Sequence, residues 1–152
     1  MIMMKCESSS SVERLLAKEK VAGPIPVSRS KVKMNIPEEA KNLLEKGIVY
    51  LATSDGKNPN VTVTQSGKII GPDEILICDC GMRLAKENIQ KNRQVSLASY
   101  DEKNGIGFKG FGVATYYDSG EFLDIAKRRL EGEQYKPKGA VIIKLENIFK
   151  IE

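Results

Sequence analysis

Few residues of this chain are equipped for chemistry, and one residue type is missing altogether. Among 152 residues there is no histidine. Ser-His-Asp and Cys-His catalysis are therefore excluded, as is every histidine-based metal site. Cysteine occurs only at positions 6, 78 and 80, so a zinc tetrad cannot be assembled from one chain without carboxylates, and no metal site is expected. The side chain that ordinarily carries protons near neutral pH is missing. Redox or group-transfer chemistry would then depend on a bound cofactor that brings its own reactivity.

Three short segments hold what remains. The first, Cys78-Asp79-Cys80, invites a redox reading. In a strand, however, residues i and i+2 lie about 7 Å apart. That is the outer limit for a disulfide, so thiols acting as small buried residues are expected, with Cys80 the one nearer a possible site. The second segment, Asn60 to Ser66, alternates Val61 and Val63 against Thr62, Thr64 and Ser66. It reads as a strand with one apolar face and one hydroxyl face, and a hydroxyl-rich face wants polar company. The third segment, Gly105-x-Gly107-x-x-Gly110, spells the dinucleotide fingerprint. That fingerprint needs a strand before it and a helix opening at the last glycine. Here β-rich residues follow, "FGVATYY", and no helix starts before Asp118. The glycines mark a hairpin entering a strand.

These segments sit in a recognisable order of elements. Residues 1–35 read as an N-terminal helical extension and linker, "SSSSVERLLAKEKVAG" followed by "PIPVSRSKVK". The main domain, 36–152, opens with a helix whose stripe is Ile36, Ala40, Leu43 and Leu44, with Asn35 as cap and Gly47 as stop. Strands are predicted at 48–53, 60–66 and 74–80, a helix at 81–92 with Met82, Ala85 and Ile89 on one face, and strands at 94–100 and 108–117. A capping box from Asp118 then starts a helix with Phe122, Ile125, Ala126 and Leu130 on one face. "AVIIKLENIFKI" closes the chain as one or two strands. The link "GKIIGP" is too short for a crossover helix, so the strands join by hairpins into a small antiparallel barrel. The fold class is mainly β (β+α): a six-stranded antiparallel split β-barrel with flanking helices.

Bulk properties narrow the function. The net charge of +4 is scattered, and the tract Lys127 to Arg129 reads as a solvated helix face, so no nucleic-acid partner is expected. Only Phe108, Lys109 and Phe111 hint at one. There is no apolar run long enough to span a membrane and no signal-peptide core. With an odd number of cysteines, a cytoplasmic location is expected.

"GFKGFGVATYYDSGEF" resembles the fifth strand and following helix of the FMN-binding split-barrel superfamily, which includes the pyridoxamine 5′-phosphate oxidase-like and small FMN-binding proteins. "GIVYLATSDGKNPNVTVT" is similar to its first hairpin. "ILICDCGMRLAKENIQKNRQVSL" is similar to its strand–helix–strand unit, and "KGAVIIKLENIFKI" to its last strands. The resemblance covers about residues 36–152. It implies a homodimer holding FMN, or another flavin or deazaflavin, at the subunit interface, with electron or hydride transfer to a small-molecule or redox-protein partner. It also implies that Thr62, Val63, Thr64 and Gln65 line the flavin. The strand–helix junction, Cys80, Gly81, Met82, Arg83, Leu84, Ala85 and Lys86, would then hold its phosphate, because a helix N-terminus offers free N–H groups. Relatives commonly place Lys-Thr where this chain has Leu84-Ala85; Arg83 or Lys86 would substitute. No catalytic residue is identified. The other reading is a non-enzymatic module that binds or senses flavin or haem on the same barrel.

Overall fold

A computed structural model describes residues 33–151. The expected helical extension therefore lies, but for its last residues, outside the described residues. The described chain forms three helices and seven strands: α1 (Glu38–Lys46), β1 (Val49–Ser54), β2 (Pro59–Thr64), β3 (Gly67–Ile69), β4 (Glu74–Asp79), α2 (Arg83–Lys91), β5 (Gln94–Asp101), β6 (Ile106–Tyr117), α3 (Glu121–Arg129) and β7 (Gly139–Ile151). The sequence led to six strands. The seventh is β3, three residues inside the link between the second and third predicted strands. Lys68 pairs with Leu76 there, so the "GKIIGP" segment folds back on β4 as a hairpin arm.

All strands lie in one antiparallel sheet, ordered β2-β1-β5-β6-β7-β4-β3. Its two ends, β2 and β3, are consecutive in the chain and separated only by Gln65 and Ser66. A seven-stranded sheet whose terminal strands are joined so closely must curl, which makes a half-barrel. The hollow is filled from α1 (Ala40, Leu44), β1 (Val49, Leu51), β4 (Ile75, Ile77), α2 (Ala85, Ile89), β5 (Leu97) and β7 (Val141, Ile143, Leu145), all at most 2% exposed. The predicted stripes of α1 and α2 thus face inward. β4 and β7 are covered on both sides. Their other faces, Leu76, Cys78, Ala140 and Ile142, pack under Ala126, Phe122 and Ile125 of α3 and Leu130 just after it. This is why "ILIC" and "AVII" are unbroken apolar runs, whereas β5 alternates.

Neither proposed N-cap forms. α1 starts after Pro37 and α3 after Gly120, and no side chain caps either. Acidic first turns, Glu38-Glu39 and Glu121-Asp124, complement the helix dipoles instead.

The long β6–β7 pairing shifts register between Phe111 and Gly112. A Cβ on Gly112 would run into the Lys144 carbonyl and the Leu145 Cα, so the bulge depends on a bare backbone. Gly112→Ala is expected to cost about 1–3 kcal/mol and lower the melting temperature by about 5–10 °C. Lys144→Ala leaves the obstructing carbonyl in place and should melt near wild type. An unchanged melting temperature for Gly112→Ala, read by differential scanning fluorimetry, would overturn this account of the bulge.

Candidate functional site

The site is built around the end of β4. Asp79 is 4% exposed and every oxygen it carries is engaged. Its Oδ1 accepts from the Gly81 N–H (2.8 Å) and the Met82 N–H (2.6 Å); its Oδ2 accepts from the Tyr116 hydroxyl (2.6 Å). Its backbone carbonyl accepts from the Lys138 N–H (2.7 Å). Burial opposes ionisation of Asp79, but the bonds from Tyr116, Met82 and Gly81 outweigh it and hold the carboxyl below its ordinary range. Burial, then the Asp79 carboxylate, pushes the Tyr116 hydroxyl well above its ordinary value. Lys86 Nζ lies 4.7 Å from the centre of the Tyr116 ring. Gly139 completes the arrangement, because a Cβ there would strike the Tyr116 hydroxyl.

A second polar chain braces α2 against the first hairpin. Buried Asn88 donates to Thr53 Oγ1 (3.1 Å), and Asn60 Nδ2 reaches both Thr53 Oγ1 and Thr62 Oγ1 (3.4 and 3.3 Å). Thr62 accepts in this chain, so its own O–H is left to donate. Ser66 Oγ accepts from the Cys78 N–H and meets Thr64 Oγ1 at 2.7 Å.

Between β2, the β4–α2 junction and the C-terminal ends of α1 and α3 lies an open groove of about 730 Å³. That is within the range of about 300–1,000 Å³ usual for small-molecule sites. Thr62, Val63, Thr64 and Gln65 line one wall; Cys80, Gly81 and Met82 line another. The fold thus brings together two segments that the sequence singled out separately. The rest of the junction lies elsewhere. Arg83 points to solvent, 3.9 Å from Glu87; Leu84 is exposed; the Ala85 side chain is in the core; Lys86 covers Tyr116. The backbone N–H groups of Arg83, Leu84 and Ala85 have no partner inside the helix, whose first bond is Lys86 N–H to the Met82 carbonyl.

The β2 strand reverses the usual sense of an alternating strand. Its hydroxyl side chains are half-buried and turned toward the groove, while Val61 and Val63 are 63% and 59% exposed. β2 ends the sheet, so the alternate backbone groups that do not point at β1 are also open to a ligand.

Arg129, Glu45, Lys46, Glu133 and Tyr135 form the remaining wall, and sequence reading missed it. The tract Lys127 to Arg129 is not uniformly a solvated face. Arg129 folds back, donating from Nε to the Gly67 carbonyl (3.3 Å) and from Nη2 to the Glu45 carbonyl (3.0 Å). The signal was present: position 129 follows Phe122, Ile125 and Ala126 at helical spacing, on the buried stripe.

The thiols are not activated. Burial, with Cys80 adding to it, pushes Cys78 up to about 11; burial and Asp79 raise Cys80 as well. Both are free thiols. Of the residues that hinted at nucleic-acid contact, Phe108 is in the core and Phe111 is exposed. The glycines of the dinucleotide spelling lie in the β5–β6 turn (Gly105) and within β6 (Gly107, Gly110), away from any helix start. No helix among the described residues is long and apolar enough to cross a membrane.

Because the folded Asp79 titrates below its unfolded value of about 3.9, it stabilises the fold above that pH and this contribution is lost as pH falls through the folded value. Asp79→Asn is expected to lose about 1.5–3 kcal/mol at pH 7. The difference from wild type in melting temperature should shrink between pH 5 and pH 3. Tyr116→Phe should show a smaller loss with the same pH trend. A pH-independent difference would sink the assignment.

Comparison with known proteins adds the following. No family model matches the chain. The uncharacterized protein MJ0282 of Methanocaldococcus jannaschii is 34% identical over 125 residues, covering 78% of this chain and 83% of that protein. The crystal structure of HupZ of Group A Streptococcus superposes with a TM-score of 0.68 at 26% identity, covering 76% of this chain and 94% of that one. An FMN-binding protein of Syntrophomonas wolfei superposes with a TM-score of 0.67 at 18% identity, over 93% of this chain and 97% of that one. The fold also recurs in an F420 reductase (TM-score 0.59, 19% identity) and a heme binding protein of Mycobacterium smegmatis (0.55, 16%). By its match to the Methanocaldococcus protein the chain belongs to one family with it, and its curled antiparallel sheet has the fold of the FMN-binding split-barrel proteins.

Proposed function

We propose that the chain is a flavoprotein that binds FMN in this groove and transfers electrons or a hydride through it. The observation that carries the reading is the convergence, on one cavity, of the half-buried hydroxyls and open backbone of an edge strand with an uncapped helix start. The residues fit such a group. Thr62, Thr64 and Gln65 offer hydrogen-bonding groups to a heterocycle and its polyol, and the free N–H groups of α2, on Arg83 to Ala85, follow directly on the groove residues Gly81 and Met82. Bound flavin would supply the redox chemistry. The chain's part is to hold and orient it and to exclude competing groups. That division suits the side chains present: the nearby thiols stay protonated and the Tyr116 proton is committed to Asp79. A reducing, cytoplasmic setting suits the free thiols.

The active unit in this reading is a homodimer. Tyr50, Val61, Val63, Tyr100, Phe111 and Phe149 all lie on the outer face of the sheet, as the register Val63–Tyr50–Ala98–Lys109–Phe149 requires, and each is at least 44% exposed. An apolar sheet face of this extent calls for a partner, and a second copy bordering the groove is the occupant proposed.

Purified protein is expected to be yellow, or to quench FMN fluorescence on titration with a micromolar or tighter Kd. Colourless protein with no quenching would exclude the flavin reading, and a shift of affinity toward a deazaflavin over FMN would change the cofactor. Light scattering at micromolar concentration should give twice the chain mass of 16.8 kDa. Val63→Glu, which puts a charge on this face, should give the single-chain mass; a wild-type monomer would contradict the dimer.

A further inference from the structure

The third wall of the groove carries a cation without a counter-charge. Arg129 is half-buried, and among the described residues no carboxylate lies within 4.0 Å of its guanidinium. Two carbonyls hold it, from Gly67 and Glu45. They use two of its five donors and fix the plane of the fork. The remaining donors belong to a side chain that lines the groove. A charge withdrawn from water is ordinarily paired.

Neighbouring acids do not supply the pair. Glu45 Oε1 is committed to the Ile69 N–H (2.9 Å), and Glu133 is an exposed groove residue outside ion-pair distance. Lys46 lines the same wall and adds a second positive charge. The cations at the opposite junction are engaged elsewhere, Arg83 beside Glu87 and Lys86 over Tyr116, and neither lines the groove. A planar, pre-oriented guanidinium is also the side chain best matched to the two oxygens of a phosphate or carboxylate.

We infer that Arg129, assisted by Lys46, is the anion-recognition residue of the groove, taking a phosphate or carboxylate of the molecule bound there. The inference deepens the flavin reading, and rests on it in one respect: the anion is either the phosphate of the cofactor or the acidic group of a second ligand in the same cavity. In the first case this chain replaces the absent Lys-Thr of the strand–helix junction by an arginine from the other side of the groove. In the second, Arg129 sets preference for an anionic substrate.

The test compares wild type with Arg129→Gln, which keeps a hydrogen-bond donor for the carbonyls, and with Arg129→Lys, which keeps the charge. Flavin-free full-length proteins are titrated with FMN and with riboflavin by fluorescence. Flavin-free and FMN-loaded proteins are melted in inorganic phosphate against chloride at equal ionic strength. If the anion is the cofactor's, Arg129→Gln weakens FMN at least tenfold and leaves riboflavin unchanged, with Arg129→Lys in between. If it belongs to a second ligand, FMN affinity is unchanged, and phosphate raises the melting temperature of FMN-loaded wild type but not of Arg129→Gln. Equal weakening of FMN and riboflavin would reveal a purely structural clamp and overturn the inference. Unchanged flavin affinity together with unchanged phosphate stabilisation would overturn it too. If wild type binds no flavin at all, the flavin reading fails, while the phosphate melts of the flavin-free protein still decide the role of Arg129.

Discussion

The carboxylate of Asp79 joins three parts of the barrel that would otherwise have no reason to meet. It caps the turn that leads β4 into α2, receives the Tyr116 hydroxyl from β6, and through its backbone receives Lys138 at the entry to β7. A buried carboxylate without these donors would be strongly unfavourable; with all of them it stays ionised. The requirement is mutual. Tyr116 can reach Asp79 only because residue 139 has no side chain, and the turn into α2 is held by the bonds that Gly81 and Met82 give to Asp79. The groove wall formed by Cys80 to Met82 is the outer surface of this knot.

The groove divides its work among residue types. Hydroxyls and open backbone come from an edge strand, and positive charge from the end of α3 and of α1, with the turn into α2 as the wall between. None of these is a general acid or base at neutral pH, and the thiols present are raised out of their reactive range by burial. In the flavin reading proposed above, the cavity binds and orients, and reactivity comes from what is bound, in keeping with a chain that has no histidine.

β2 shows how pattern and placement differ. Alternation of valine and threonine is legible in the sequence, and so is the conclusion that its two faces differ. Which face turns inward is not, because period-two alternation is symmetric between faces until the register with β1 is set. The pairing of Val63 with Tyr50 puts the valines outside, among other exposed apolar residues, and the threonines over the groove. A general rule that apolar faces turn to their own core would reverse the strand. The homodimer proposed above would cover this face.

What the residues determined alone were the local properties: periodic stripes for α1, α2 and α3, continuous apolar runs for strands covered on both sides, the failure of the glycine fingerprint for want of a helix, and the exclusion of histidine chemistry. Each depends on neighbours within a few positions, so the chain states it directly. The three-residue strand β3, the Tyr116–Asp79 bond across 37 positions and the Arg129 contact to Glu45 across 84 arise from tertiary structure alone. They join segments whose closeness depends on how a seven-stranded sheet curls, and no local pattern encodes that curvature.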